Sequence, residues 1–312
     1  MPYVRLVLLL IFAGLPAGAE ERDAYLGMAR QGWSYELRTT MIGRDMSIPV
    51  RINGRDMAGA ALCVVGEAPG PDTRVVLDAF RGLIGEIFGK PMPMRFAGRT
   101  ARACGAGRVV VLRLYSGRPP NRALSEDIDW MNGAFGLGLP SGRDYAAMSP
   151  AMAQTFFGHR GQVTHIMVKQ SGPTRPGTLE RAFYKSILVE ELFQSFTFGM
   201  DVLKFDRDAA FLSKLQEFPM NMGRMPWSSR GFMRAILGSN PQGLCRFDVF
   251  MLYAVAGAPG AQTNTPEFIE YIAADYDRLR ALAEARFGDA RHDAILDPDC
   301  AAATFPRQSG SD

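Results

Sequence analysis

The sequence predicts an α+β fold in which a small mixed sheet backs a central helix and a helical half follows. Three observations lead there. Short apolar runs at residues 61–65, 108–115 and 162–169 are bounded by turn signals and read as strands. Residues 178–196 form one helix that is apolar on nearly every side. After Gly199 the hydrophobic spacing is mostly helical.

Taken in order, residues 33–42 alternate polar and apolar side chains. Residues 48–52 read as another strand and run into an Asn53-Gly54 turn signal. Beyond the strand at residues 61–65, Pro69-Gly70-Pro71 is a loop, and Asp72 is placed to cap a helix over residues 73–88. There Val76, Phe80, Leu83, Ile84 and Ile87 recur at helical spacing. Residues 89–98 are rich in breakers. Residues 108–115 are the clearest strand. Residues 116–158, rich in Gly, Pro and Met, read as a long excursion of loops and short helices. After the strand at 162–169, Pro173-Thr174-Arg175-Pro176-Gly177 turns the chain and Thr178 caps the central helix. Residues 209–218, 228–237 and 242–255 read as short helices. Thr265-Pro266 opens a last helix running to residue 287, with Pro at its first position.

The 312 residues are 47% hydrophobic and 21% charged, an ordinary globular balance. Their formal charge of +3 is too mild for dense phosphate contact, so no nucleic-acid partner is expected. Only 3 His are present, which argues against a multi-histidine metal site. The chain has no Gly-x-Ser-x-Gly elbow, and its Gly133–Gly138 run follows no strand.

The N-terminus reads as an address. A single positive charge at Arg5 precedes a short apolar run from Leu6 to Leu15. Pro16 breaks the run, and Ala17-Gly18-Ala19 fits a small-residue cleavage site. The expected organisation is a signal peptide over residues 1–19, an α+β domain over 20–258, and a C-terminal helix and tail over 259–312. The mature chain is expected to be exported, periplasmic or secreted, without a transmembrane anchor, because no later run approaches ~20 apolar residues. In an oxidising compartment the four cysteines suggest disulfides. Of the possible pairings, Cys63–Cys104 and Cys245–Cys300 are favoured, since each lies within one half of the chain.

The unusual chemistry sits in the central helix. Leu188, Leu192 and Phe196 face one way, Val189 and Phe193 extend that face, and Phe183 and Ile187 lie opposite. Yet Glu190, Glu191 and Gln194 stand in the middle. Glu190 and Gln194, at i and i+4, project from the same face. A buried carboxylate is paired, protonated or bound to a cation, so this trio is a candidate site. The alternative is that the two carboxylates pair with Arg side chains of the helical half, or lie on a partly wet seam.

Glu190-Glu191-Leu192-Phe193-Gln194 resembles the H-E-x-x-H layout of the zincin metallopeptidases. Glu190 and Gln194 stand where the zinc-binding histidines would be, and Glu191 stands at the general-base position. Phe247-Asp248-Val249-Phe250-Met251-Leu252-Tyr253-Ala254 is similar to an Asp-x-x-x-x-Leu-Tyr-Gly segment of metzincins. More closely, the chain resembles an uncharacterised bacterial family of exported domains of unknown function, with the signature E-E-L-T-Q-x-L-G-L-P-x-D. Glu190, Glu191, Leu192, Gln194 and Asp201 match it, while Phe193, Thr197 and Gly199 depart from it. The resemblance spans residues 33–258. It implies a zincin-like fold whose metal site is lost or altered.

Gln and Glu are poor zinc ligands, Met200 stands near a metzincin's third His, and His159 and His165 are remote. No metal and no cofactor are therefore expected, and His165 on its strand reads as structural. The expected function is that of a catalytically inactive relative of metallopeptidases. It would bind a peptide, an envelope polymer or a partner protein through Glu190, Gln194 and Asp201. The alternative is a hydrolase with Glu191 as general base, using an oxygen-ligated metal or none. Met220, Met222 and Met225 read as cover for the core beside the cleft, and Arg278 and Arg280 as a solvated helix face.

Overall fold

The computed structural model describes residues 17–30, 57–170, 178–197, 201–221, 225–258 and 265–303. The expected strands at 33–42 and 48–52 and the turn at 173–177 lie outside the described residues, as do residues 1–16 of the expected signal peptide. The expected cleavage site falls at the start of helix α1 (Ala17–Met28), whose Tyr25, Leu26 and Met28 enter the core.

Strands β1 (Ala61–Gly66), β2 (Met94–Phe96), β3 (Val109–Tyr115), β4 (Ala151–Gly158) and β5 (Gly161–Lys169) form one sheet in the order β2-β1-β3-β5-β4. All pairings are parallel except β4 with β5. The inner strands are buried on both faces, which is why β1 and β3 read as nearly continuous apolar runs. Their side chains divide by parity. Leu62, Val64, Val110 and Leu112 face helices α2 (Pro71–Phe88) and α4 (Leu179–Thr197). Cys63, Val65, Val109 and Val111 face α3 (Asn121–Phe135). Helices α5 (Arg230–Leu237), α6 (Arg246–Gly257), α7 (Pro266–Ala274) and α8 (Tyr276–Phe287) complete the first of these cores. The architecture is therefore mixed α/β, with a mostly parallel sheet clad on both faces. The expected α+β plan, a small mixed sheet backing a central helix with a helical half after it, is met in its coarser form, a mixed sheet with helices. The sheet does back the central helix, now α4.

Several expectations shift locally. Asp72 is not the cap of α2. Gly70 holds that position with Pro71 at the first helical residue, and Asp72 instead pairs with Arg181 at 2.7 Å. The breaker-rich stretch contains the short edge strand β2. The supposed loop excursion contains the regular helix α3 and strand β4, whose Ala-Met-Ala-Gln-Thr-Phe-Phe-Gly sequence lacks a β-branched run. Strands β4 and β5 form a tight hairpin across His159 and Arg160. Gly158 at its end has no room for a side chain, since a Cβ there would lie 2.1 Å from the Phe135 carbonyl oxygen.

Residues 209–218 are not a helix. Strand β7 (Gln216–Glu217) lies there, parallel to β6 (Val202–Leu203). Helix α6 begins only at Arg246, because residues 242 and 244 are drawn to the C-terminal segment by Gln242 N–H donating to Asp297 and by a Leu244–Leu296 bridge. The last expected helix is two, α7 and α8, broken at Asp275 (φ −101°, ψ 13°). Ser229, Thr178 and Thr265 do cap their helices. Met220 and Met225 are exposed rather than covering the core, and Met222 lies outside the described residues.

Both expected cysteine pairs are joined, Cys63 to Cys104 and Cys245 to Cys300, across 41 and 55 residues of sequence. Closing loops of that length restricts the unfolded chain. Replacing the Cys63–Cys104 pair by Ala is expected to lower unfolding free energy by about 2–4 kcal/mol, read from urea denaturation of the oxidised proteins.

Candidate functional site

Helix α4 packs its apolar residues against the sheet through β4 and β5 and against α2 and α5. That enclosure carries Glu190, Glu191 and Gln194 into the interior, where each meets a different environment.

Glu190 is ion-paired from below. The fully buried Lys214 places Nζ 2.7 Å from Glu190 Oε2 and 3.0 Å from Ser186 Oγ, one turn back on the same helix. Asn240 Nδ2 donates to the same Glu190 oxygen at 2.9 Å. Lys214 is held there by Asp248 of α6. The Asp248 carboxylate accepts from the Ser213 hydroxyl, from Lys214 N–H at 2.8 Å and from Cys245 N–H at 2.8 Å. Burial still dominates at Asp248 and moves its pKa up to about 6, against the lowering effect of those three bonds. Of the alternative that the two carboxylates pair with Arg side chains, nothing is seen among the described residues: Glu190 meets a lysine and an amide.

Glu191 points the other way, toward the edge strand. The backbone N–H of Ala153 in β4 donates to it, but Oε2 is buried and unpartnered. Burial first, then the charges of Glu190 and Asp201, push its pKa well above the ordinary carboxylate range. Gln194 Nε2 donates to Asp201 Oδ1 at 2.9 Å. The outer surface of Asp201 is open to solvent, yet its carboxyl is crowded by protein. That crowding, then the charges of Glu190 and Glu217, raises its pKa to about 8. Glu217 of β7 is raised by burial and by Glu190.

These groups line one cavity of about 580 Å³, between the Ser149–Ala153 segment at the start of β4, the middle of α4, and the β6–β7 and Asn240 side. All four residues singled out in the sequence, Glu190, Glu191, Gln194 and Asp201, are brought together here. Sequence reasoning missed Glu217, Lys214 and Asn240. Lys214 and Asn240 are single polar residues in loops, with no spacing signal. Asp248 was visible only through the Asp…Leu-Tyr resemblance. The positions corresponding to the two zincin histidines are both committed within the chain, Glu190 to Lys214 and Asn240, and Gln194 to Asp201.

Two other polar clusters are structural. His165 of β5 bonds Asp127 at 3.0 Å, and Arg113 does so at 2.7 Å. Burial raises Asp127, but the bonds and charges of His165 and Arg113 outweigh it and hold the carboxyl low. His165 therefore stitches α3 to the sheet, as expected. Glu86, Asp289 and His292 bring ligand atoms within 4.8 Å of one another, but Arg286 and Arg291 already pair with the carboxylates.

Removing the buried cation tests the first assignment. Lys214→Met is expected to destabilise by about 3–5 kcal/mol, because it leaves Glu190 charged and unpaired; adding Glu190→Gln should recover most of the loss in a double-mutant cycle of urea unfolding. The second assignment has a pH signature. Glu191 binds its proton more tightly folded than unfolded, so its contribution is fully present below the unfolded pKa and declines as pH rises toward the folded one. The stability of the native protein relative to Glu191→Gln should fall by about 1.4 kcal/mol per pH unit across that window, measured by denaturation at successive pH values.

Comparison with known proteins gave no matching family model, no matching curated protein and no matching solved structure.

Proposed function

We propose that this is an exported, zincin-like but non-catalytic binding protein whose cleft receives an extended polypeptide segment alongside β4. The observation that carries the reading is the coincidence of the sheet's outer strand with the cavity. The Lys169 N–H donates to the Pro150 carbonyl, so in the antiparallel register the backbone groups of Ala151, Ala153 and Thr155 turn away from β5. Strand β4 ends the sheet, and its Ser149–Ala153 segment forms one wall of the cavity. On that edge the Ala153 N–H donates to Glu191 and the Ala151 N–H to the Ser149 hydroxyl, so an added strand would exchange with these bonds, and the neighbouring cavity supplies a pocket for an alternate side chain.

The non-catalytic element rests on the commitments of Glu190 and Gln194 to internal partners. Export is supported by the N-terminal pattern and the two disulfides. Among the described residues no helix is long and apolar enough to cross a membrane.

A second reading, hydrolysis with Glu191 as base, has Glu191's place on the cavity wall in its favour. Burial and the charges of Glu190 and Asp201 favour the protonated form of Glu191, which suits hydrogen-bond donation better than proton abstraction.

A plug on the cavity wall separates docking here from docking elsewhere. Ala153→Phe projects a ring into the cleft from β4 and is expected to weaken binding of fluorescent extended decapeptides by about tenfold or more. Undiminished binding by a variant with an unchanged circular-dichroism melt would reject the reading.

A further inference from the structure

Resting on that reading, we propose that the polypeptide segment is selected for a basic residue, its lysine ammonium or arginine guanidinium entering the cavity between Glu191, Asp201, Glu217 and Asn240. Three observations converge on a cationic donor. The cavity wall carries four carboxyl groups, Glu190, Glu191, Asp201 and Glu217, and no Lys or Arg. Lys214 lies behind Glu190 and pairs with it directly; its charge also lowers Glu191, Asp201 and Glu217, but one cation set against four carboxyls does not balance them.

The second observation is the pair of unpartnered buried atoms on this wall. Both Glu191 Oε2 and Asn240 Oδ1 are oxygens, in residues 8% and 3% exposed. The Asn240 orientation is fixed, since turning its amide would set oxygen against the Glu190 carboxylate that its Nδ2 now bonds. The other unpartnered polar atoms of the described residues, on Thr197, Arg234, Tyr276, Arg286 and His292, do not line this cavity.

The third observation is contrast. The whole chain carries a formal charge of +3, so attraction of a cation is local to this wall and not a property of the surface at large. The raised proton affinities of Glu191, Asp201 and Glu217 fit the same picture, because a wall of carboxyls facing one another without cations takes up protons instead. An arriving ammonium replaces those protons. Binding therefore releases protons and tightens as pH rises through about 8, where Asp201 ionises. The charged groups facing that wall are Glu190 and Glu191 from α4, Asp201 before β6, Glu217 from β7, and Lys214.

The test uses the full oxidised chain and pools of fluorescent decapeptides with one fixed central residue: Lys, Arg, norleucine, citrulline or Glu. Lys and Arg pools are expected to bind about tenfold tighter than norleucine and citrulline pools. Calorimetry in buffers of different ionisation enthalpy should register proton release with the Lys pool and not with the norleucine pool. The Asp201→Asn, Glu217→Gln variant should bind the Lys, Arg and norleucine pools with equal affinity; a preference for Lys and Arg that survives in it overturns the inference. Equal binding of Lys and norleucine pools overturns the cation inference and leaves strand-edge docking standing. Failure of every pool to bind overturns both.

Discussion

The lysine beneath the central helix is the constraint from which the site follows. Helix α4 is apolar nearly all round because it is enclosed by sheet and helices, and such a helix can hold a charge only where a counter-charge meets it. Lys214 meets Glu190 with no exposed surface of its own. A lysine cannot be left to find that place by chance. Its backbone is tied by Asp248, which captures Ser213, Lys214 and the start of α6 at once. The linkage runs from α6 through a turn into α4, and it fixes how α4 is rotated about its axis. A buried ion pair is weak evidence of net stabilisation, since an apolar pair of equal volume would serve as well. Its effect here is orientation: it commits one glutamate downward and leaves the next facing the edge strand.

That division gives two neighbouring residues opposite character. Glu190 and Glu191 differ by about 100° around the helix, so one lies against Lys214 and Asn240 and the other against Ala153 of β4. The first has a cation and an amide donor. The second has one backbone donor and three acidic neighbours, counting Glu190, Asp201 and, across the cavity, Glu217. Identical side chains thus differ through surroundings alone: one is ion-paired, and the other has its proton affinity raised by burial and by its acidic neighbours.

The parts of the fold legible in the sequence are those where local pattern and tertiary role agree. Strands β1, β3 and β5 announce themselves because burial on both faces demands continuous apolar runs. Helix α2 does so because one face alone is buried. Strand β4 does not. As an edge strand it needs only an intermittent apolar face, and its Ala, Met and Gln residues carry no strand preference. Residues 209–218 mislead in the opposite sense, since their helical spacing is overruled by Asp248 drawing two consecutive residues into a turn. The site was legible as to α4, because three polar residues in an apolar helix violate a local rule and so attract notice. It was opaque as to Lys214, Asn240 and Glu217, which sit in short irregular segments where a single polar residue violates nothing.

The same logic bears on whether the cavity is used or is merely a leftover. An unpartnered buried acceptor costs about 1–3 kcal/mol, and two such atoms lie on one wall, on Glu191 and Asn240. Both could be relieved cheaply: leucine in place of Glu191 would extend the apolar face of α4, and serine or alanine could replace Asn240. A chain that satisfies Asp127 with three donors and Asp248 with three more has the means to satisfy polar groups when they serve only the fold. Two oxygens without partners, in residues that line one cavity among carboxyls whose proton affinity is raised, are a destabilising arrangement that the proposed cationic donor would relieve. Unpartnered atoms occur elsewhere among the described residues, on Thr197, Arg234, Tyr276, Arg286 and His292; what sets this wall apart is that two unpartnered oxygens belong to residues lining one cavity together with three further carboxyl groups.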